Sequence, residues 1–214
     1  MTYSRSSPSA RYTSLIAMYR QMHQHGTGQG LSARATFAGT SLMRHIERIK
    51  ALIERTGAAT ILDYGCGKGA LYLPNPLAVK GVGTFDGVVD FWGVDSVGCY
   101  DPAYEPYRTL PKEQFDGVVS TDVMEHCPEE DLPWIVSEIF SYARRFVYVN
   151  VACFPAEKLL PNGENAHCTI QPPQWWAELF GRTARRYPGI VWEVWTLGPS
   201  GSGGEMRETR ITTQ

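Results

Sequence analysis

Apolar residues fall into two alternating patterns along this chain, helical stripes and short unbroken runs, and that alternation predicts an α/β fold. After a serine-rich start, Tyr12, Leu15, Ile16, Tyr19 and Met22 recur at helical spacing, so a first helix is expected to begin near Tyr12. The stretch Gly26 to Gly30 reads as a turn. Thr40 or Ser41 can cap a second helix carrying Leu42, Ile46, Ile49 and Ile53 on one face, with Gly57 as its stop. Ile61 and Leu62 end an apolar run expected to be a central parallel strand.

Val97 to Tyr100, halted by Asp101-Pro102, and Phe115 to Ser120 read as further strands. Glu129-Glu130-Asp131 places acids at the start of a helix bearing Trp134, Ile135, Ile139 and Phe140. Phe146 to Val151 is apolar on both faces, as a covered strand requires. Pro172 and Pro173 open a helix with Trp175, Trp176, Leu179 and Phe180. Ile190 to Leu197, a turn from Gly198 to Gly204, and Glu205 to Thr212 then predict a closing antiparallel hairpin. No internal repeat interrupts this order.

The length of 214 residues suits one α/β domain, and 43% apolar residues suffice for a buried core. A net charge of −2 gives no general attraction to nucleic acid or to an anionic membrane, so neither is the expected partner. No apolar run approaches the roughly 18 residues that span a bilayer, the N-terminus has no signal-peptide core, and a cytoplasmic protein is expected. Cys66, Cys99, Cys127, Cys153 and Cys168 form no Cys-x-x-Cys pair and read as reduced thiols.

Candidate chemistry concentrates in Ile61-Leu62-Asp63-Tyr64-Gly65-Cys66-Gly67-Lys68-Gly69, a strand running into a glycine turn. Gly65, Gly67 and Gly69 lack the Cβ atoms that would keep a ligand off the backbone, and a helix expected near Ala70 would add its dipole. Gly65-x-Gly67-x-x-Ala70 also fits the loose dinucleotide fingerprint, so the glycines alone leave NAD, FAD and S-adenosylmethionine open. Asp63 favours the last. A carboxylate beside bare amides suits a zwitterionic methionine moiety, whereas it would repel a pyrophosphate. Cys66 reads as a small residue filling the turn rather than as a nucleophile.

The arrangement Asp-x-Gly-x-Gly-x-Gly resembles motif I of the class I S-adenosylmethionine-dependent methyltransferases. That resemblance implies a Rossmann-like, mostly parallel sheet with a C-terminal antiparallel hairpin, an N-terminal helical extension or lid over residues 1–56, and a core over 57–214. It implies that Asp63, Gly65, Cys66, Gly67 and Gly69 border the cofactor, and that an acid ending the next strand accepts its ribose hydroxyls. Asp101 is the preferred ribose ligand because Gly81, Gly83, Asp86 and Gly87 read as an inserted loop; Asp95, after Trp92-Gly93-Val94, is the alternative. About 15 residues separate Asp101 from the next strand, so the usual helix and third strand are shortened or missing.

Asp122-Val123-Met124-Glu125-His126 resembles the Asp-Val-Leu-Glu-His signature of small-molecule methyltransferases such as the ubiquinone O-methyltransferases. It implies that Asp122 lies by the cofactor and that Glu125 and His126 edge the transfer site; the motif is shared by many acceptor classes, and a small-molecule or glycan oxygen is the expected acceptor, with nitrogen as the alternative. A histidine near that site can take the acceptor's proton at neutral pH. His126 is one candidate. His167, in the turn-rich loop Leu160 to His167, is the other because such a loop opens on the same sheet edge. His23, His25 and Phe37 of the extension are further candidates for the pocket wall, with ordinary packing as the preferred reading.

Other readings use the same residues. Asp122-x-x-Glu125-His126 with His167 resembles the divalent-metal ligands of small-RNA terminal 2′-O-methyltransferases, but the first position is Asp and no basic region accompanies it, so no metal is expected. Thr121-Asp122-Val123-Met124 stands where base-amino methyltransferases carry a Pro-Pro aromatic loop. A nicotinamide oxidoreductase or a non-catalytic cofactor-binding partner subunit would share the glycine turn.

Overall fold

Ser9 starts the first helix: its hydroxyl accepts the Tyr12 amide at 2.9 Å, and α1 runs Ala10–His25. The computed structural model describes residues 3–200 and 205–212. The second expected helix is split. A 3-10 turn over Thr40–Arg44, entered from Gly39 with no side-chain cap from Thr40 or Ser41, precedes α2 (Ile46–Thr56). Buried His45 occupies the break, its ring Nδ1 2.9 Å from the Tyr148 hydroxyl. Gly57 ends α2 in the left-handed conformation expected of it.

β1 (Thr60–Tyr64) leads into the glycine loop, but no helix follows. Only a 3-10 turn over Ala70–Tyr72 forms there, because Pro74 and Pro76 deny a helix its amides and push Leu73 to an extended ψ of 145°. β2 (Leu77–Val79) and β3 (Gly83–Phe85) make a small separate hairpin, which accounts for the glycine-rich insertion, and α3 (Val88–Trp92) returns the chain to β4 (Ser96–Tyr100). A single 3-10 turn, Glu105–Tyr107, then replaces the shortened crossover before β5 (Phe115–Thr121).

The remaining elements are α4 (Leu132–Tyr142), β6 (Ala143–Ala152), α5 (Pro173–Ala184), β7 (Val191–Ser200) and β8 (Glu205–Thr212). Asp131 precedes α4 but does not cap it; its carboxylate accepts the Ser9 amide at 3.0 Å and the Trp134 indole at 2.8 Å. β7 runs three residues into the expected turn, pairing Gly198 with Arg207 and Ser200 with Glu205. Residues 201–204 of that turn lie outside the described residues.

The six-stranded sheet has the order β4-β1-β5-β6-β7-β8, parallel except for β8, which is the Rossmann-like sheet with a C-terminal hairpin expected from the sequence. Side chains alternate between its faces. Leu62, Val118, Val147 and Val149 pack with α4 and α5, while Ile61, Val119, Phe146 and Tyr148 pack with α2 and α3. α2 therefore belongs to the covering layer of the sheet, and the part of the extension that behaves as a cover is α1 with residues 32–44. From β1 the chain steps to β4 on one side and then crosses to β5 on the other. That reversal opens a crevice at the C-terminal ends of β1 and β5.

Candidate functional site

A cavity of about 370 Å³ fills this crevice, within the size range of small-ligand sites. Asp63, Gly65, Cys66, Gly67, Asp101, Asp122 and His126 line it, together with Tyr19, His23 and Phe37 from the cover. Among the expected site residues, Gly69, Glu125 and His167 are not on its wall. His25 is absent from it as well.

The glycine loop has already used its amides. Gly65 and Cys66 donate to the Tyr100 carbonyl at 2.7 and 3.1 Å, Lys68 to that of Phe37 at 2.8 Å, Gly69 to that of Cys66 at 3.0 Å, and Ala70 to that of Ala38 at 2.9 Å. The Gly67 amide goes to the Asp101 carboxylate at 3.0 Å. The glycines serve a close backbone crossing: a Cβ on Gly67 would stand 2.2 Å from the Phe37 carbonyl oxygen, and one on Gly39 would stand 2.5 Å from that of Cys66. The bare amide donors expected of the loop are thus occupied by residues 37–39, β4 and the loop itself. Hydrogen bonding with Cys99 and burial push the Cys66 thiol well up, so it is no nucleophile.

Two carboxyls mark one end of the cavity. Asp63, 4% exposed, accepts the Tyr72 hydroxyl at 2.9 Å; burial pushes it up to about 7, against that hydrogen bond and reinforced by Asp101. Burial pushes Asp101 up to about 6 although the Ala103 and Gly67 amides favour its ionised form. Asp95 stands before β4, its amide on the Ala59 carbonyl at 2.8 Å, at the opposite edge of the sheet. Lys68, to which the glycine motif assigns no role, donates to the Thr36 carbonyl at 2.7 Å and lies 3.0 Å from His23 Nδ1. His23 stacks on Tyr104 with 5.0 Å between ring centroids, and its Nε2 is 3.9 Å from Asp101. Burial, then Lys68, lowers His23 to about 4, so it is neutral at pH 7.

The other end is built around His126, in a 3-10 turn over Met124–His126 just past β5. Asp122, between strand and turn, has φ of 54°, a left-handed conformation that costs a non-glycine residue about 1 kcal/mol or more. His126 Nδ1 lies 2.8 Å from the Ala166 carbonyl, which also accepts the Tyr19 hydroxyl at 2.9 Å. A carbonyl only accepts, so Nδ1 carries the hydrogen and Nε2 keeps its lone pair. His167 is fixed likewise, Nδ1 2.6 Å from the Phe154 carbonyl, with its ring edge-to-face on His126 at 4.8 Å between centroids. Burial, then His167, lowers His126 to about 3; burial also lowers His167.

Glu125 lies beneath this turn with no exposed surface. Its Oε1 accepts the Ala152 amide at 2.9 Å, while Oε2 has no partner. Burial, then Asp122, pushes its carboxyl up to about 8, so it is protonated at neutral pH and ties the turn to the end of β6. Among the described residues, no group of three or more His, Cys, Asp or Glu side chains comes together as a metal site, and no helix is long and apolar enough to cross a membrane. Arg44 and Lys158 line the cavity and belong to no motif.

Comparison with models of protein families, with curated proteins and with solved structures finds no match to this chain.

Proposed function

We propose that this protein transfers a methyl group from S-adenosylmethionine to the oxygen of a small-molecule or glycan acceptor. The observation that carries the reading is one cavity holding Asp63 and Asp101 at one end and a neutral, oriented His126 at the other. A cationic ligand fits the acidic end. Two buried carboxyls raised towards neutrality are groups that a ligand ammonium would ionise, and Asp101, just past the end of β4, can accept ribose hydroxyls. Because the loop amides are spent, a carboxylate of the ligand falls to Arg44, Thr40 and Ser41 on the cavity wall.

Bound there, the cofactor would supply an electrophilic methyl group. The chain's own task is positioning and proton removal. Tyr19 and the Ala166 carbonyl fix the His126 ring so that Nε2 can accept a hydrogen bond from an acceptor hydroxyl. Its low basicity is no obstacle, because an oxygen gaining a methyl group becomes far more acidic than an alcohol. His167 buttresses His126 from behind the cavity wall.

A dinucleotide is less well served. The residues after the glycine loop form only a 3-10 turn, so no helix N-terminus faces a pyrophosphate, and the loop offers no free amide for one. A thermal-shift titration with S-adenosylhomocysteine, with NAD as control, tests the reading. A ligand at 100 times its dissociation constant adds about 2.7 kcal/mol. Stabilisation by S-adenosylhomocysteine alone supports the proposal, and stabilisation by NAD alone moves the site to redox chemistry.

A further inference from the structure

Lys158 is a cation on the cavity wall within electrostatic reach of His126. It lies on the wall with its ammonium 6.0 Å from the centre of the Phe37 ring, and that ring is 6.3 Å from the His126 ring. It is close enough to depress both His126 and His167. Among the described residues no carboxylate lies within ion-pairing distance of it, Asp122 included, whereas Lys68 at the acidic end is occupied by Thr36 and His23.

The backbone that presents Lys158 is fixed on several sides. Its carbonyl accepts the Ala166 amide at 3.1 Å. Its neighbours are held by Gln29, which donates to the Glu157 carbonyl and accepts the Leu159 amide, each at 2.9 Å. Asn165 exchanges two hydrogen bonds of 2.9 Å with the Ala156 backbone. Lys158 is thus a half-buried side chain on an anchored backbone, with no ion-pair partner among the described residues and with Phe37 between it and His126.

We propose that Lys158 binds an anionic group of the acceptor, a carboxylate or phosphate, and so presents the acceptor's hydroxyl to His126. The inference rests on the methyl-transfer reading for the hydroxyl but makes its own claim about charge. It makes the substrates hydroxy-acids, acidic sugars or phosphorylated alcohols, whose anion and hydroxyl are spaced to reach Lys158 and His126 together. Lys158 is then a specificity residue, with Phe37 excluding water from the pair.

The test follows the His126 ring nitrogens by NMR while inorganic phosphate, 4-hydroxybenzoate or its neutral methyl ester is titrated into protein saturated with S-adenosylhomocysteine. Phosphate separates simple anion capture from recognition of a hydroxylated ring. The expected result is a saturable His126 shift with at least one anion, about tenfold weaker or lost in Lys158→Glu and Lys158→Met, with weaker binding of the ester and unchanged S-adenosylhomocysteine affinity. No anion-dependent shift, equal response to the ester, or unchanged anion binding in both variants overturns the anionic acceptor. Failure of S-adenosylhomocysteine to bind would instead count against the methyl-transfer reading, and the same titrations on ligand-free protein would still decide the anion site.

Discussion

Asp101 accepts the Gly67 amide at 3.0 Å, so the acid that ends β4 is also the peg that holds the glycine loop. Binding and folding can be separated there. Asp101→Asn keeps an oxygen for Gly67 but sets its NH2 against the Ala103 amide, so it should lose some stability, less than Asp101→Ala, while binding S-adenosylhomocysteine at least about tenfold more weakly. Asp101→Ala should lose affinity and also about 1–3 kcal/mol of stability, because the buried Gly67 and Ala103 amides lose their acceptor. Calorimetric titration and urea unfolding check the two effects. Equal affinity in wild type and Asp101→Asn would remove Asp101 from the ligand site.

The acidic end predicts a pH dependence. With Asp63 raised to about 7 and Asp101 to about 6, the ligand-free protein holds protons that the unfolded chain has shed above its ordinary carboxyl pKa of 3.8. Their contribution to stability is therefore lost as pH rises through these folded values. A ligand ammonium reverses the preference by selecting the ionised form. Affinity for S-adenosylhomocysteine should increase as pH climbs through 6 and 7, with protons released on binding, and Asp63→Asn should flatten the upper part of the rise. Titration calorimetry in buffers of different ionisation enthalpy counts those protons. His23 and His126, lowered to about 4 and 3, contribute to stability with the opposite sign, so binding is a cleaner readout than melting.

Much of this arrangement was legible as pattern. The sheet, its C-terminal hairpin and the shortened crossover after Asp101 follow from apolar runs and spacing. What pattern could not show was competition for the same groups. Three glycines read as space for a ligand, yet the space beside Gly67 is taken by the Phe37 carbonyl, a partner 30 positions away that no local signal announces. The missing helix after the loop was readable from Pro74 and Pro76, whose effect outweighs the fingerprint before them. Strand ends alone left Asp95 and Asp101 open; the register, with Tyr64 opposite Tyr100, places Asp101 at the cavity. Lys158 carries no motif, and the places of Lys68 and Tyr19 beside His23 and His126 emerge only from tertiary packing.

Gly67 and Gly28 form a matched pair of substitutions. Gly67 has φ of 58° and no room beside a backbone carbonyl, so Gly67→Ala should cost about 2 kcal/mol or more and weaken ligand binding by displacing residues 37–39. Gly28 lies in the turn after α1 with nothing within 4 Å of where a Cβ would stand and no positive φ, so Gly28→Ala should be neutral or slightly stabilising. Thermal melting of the two variants side by side tests whether the loop is locked by that crossing.

On the proposed methyl-transfer reading, His126→Gln should slow transfer about 10²–10⁴-fold while leaving S-adenosylhomocysteine affinity near wild type. Because His126 is lowered to about 3, wild-type turnover at saturating cofactor should show no loss from its protonation near pH 6. An acid limb with a midpoint near the ordinary histidine value of 6.5 that vanishes in His126→Gln would show that bound ligands restore its basicity. Unchanged turnover in His126→Gln would leave the ring a structural role.

The segment before α1 is tied to the sheet by a half-buried charge pair. Arg5 pairs with Glu138 of α4 through Nη2 and Nε and donates to the Tyr100 and Tyr64 hydroxyls at 2.8 and 2.9 Å, and Tyr64 in turn donates to Glu138 at 2.7 Å. Glu138→Ala leaves the guanidinium without its counter-ion among tyrosines, and a loss of about 3 kcal/mol is expected, less to the extent that Arg5, 35% exposed in its side chain, recovers water. Tyr64 is also on the cavity wall, so the variant should weaken binding of the proposed ligand from a distance. Arg5→Met alone should cost less, since Tyr64 still satisfies one carboxylate oxygen, and the Arg5→Met/Glu138→Leu pair should recover part of the Glu138→Ala loss by removing both charges. Urea unfolding of the three variants measures this order; a double variant no more stable than Glu138→Ala would mean that the polar ties to Tyr64 and Tyr100, and not the charge pairing, hold the N-terminal segment in place.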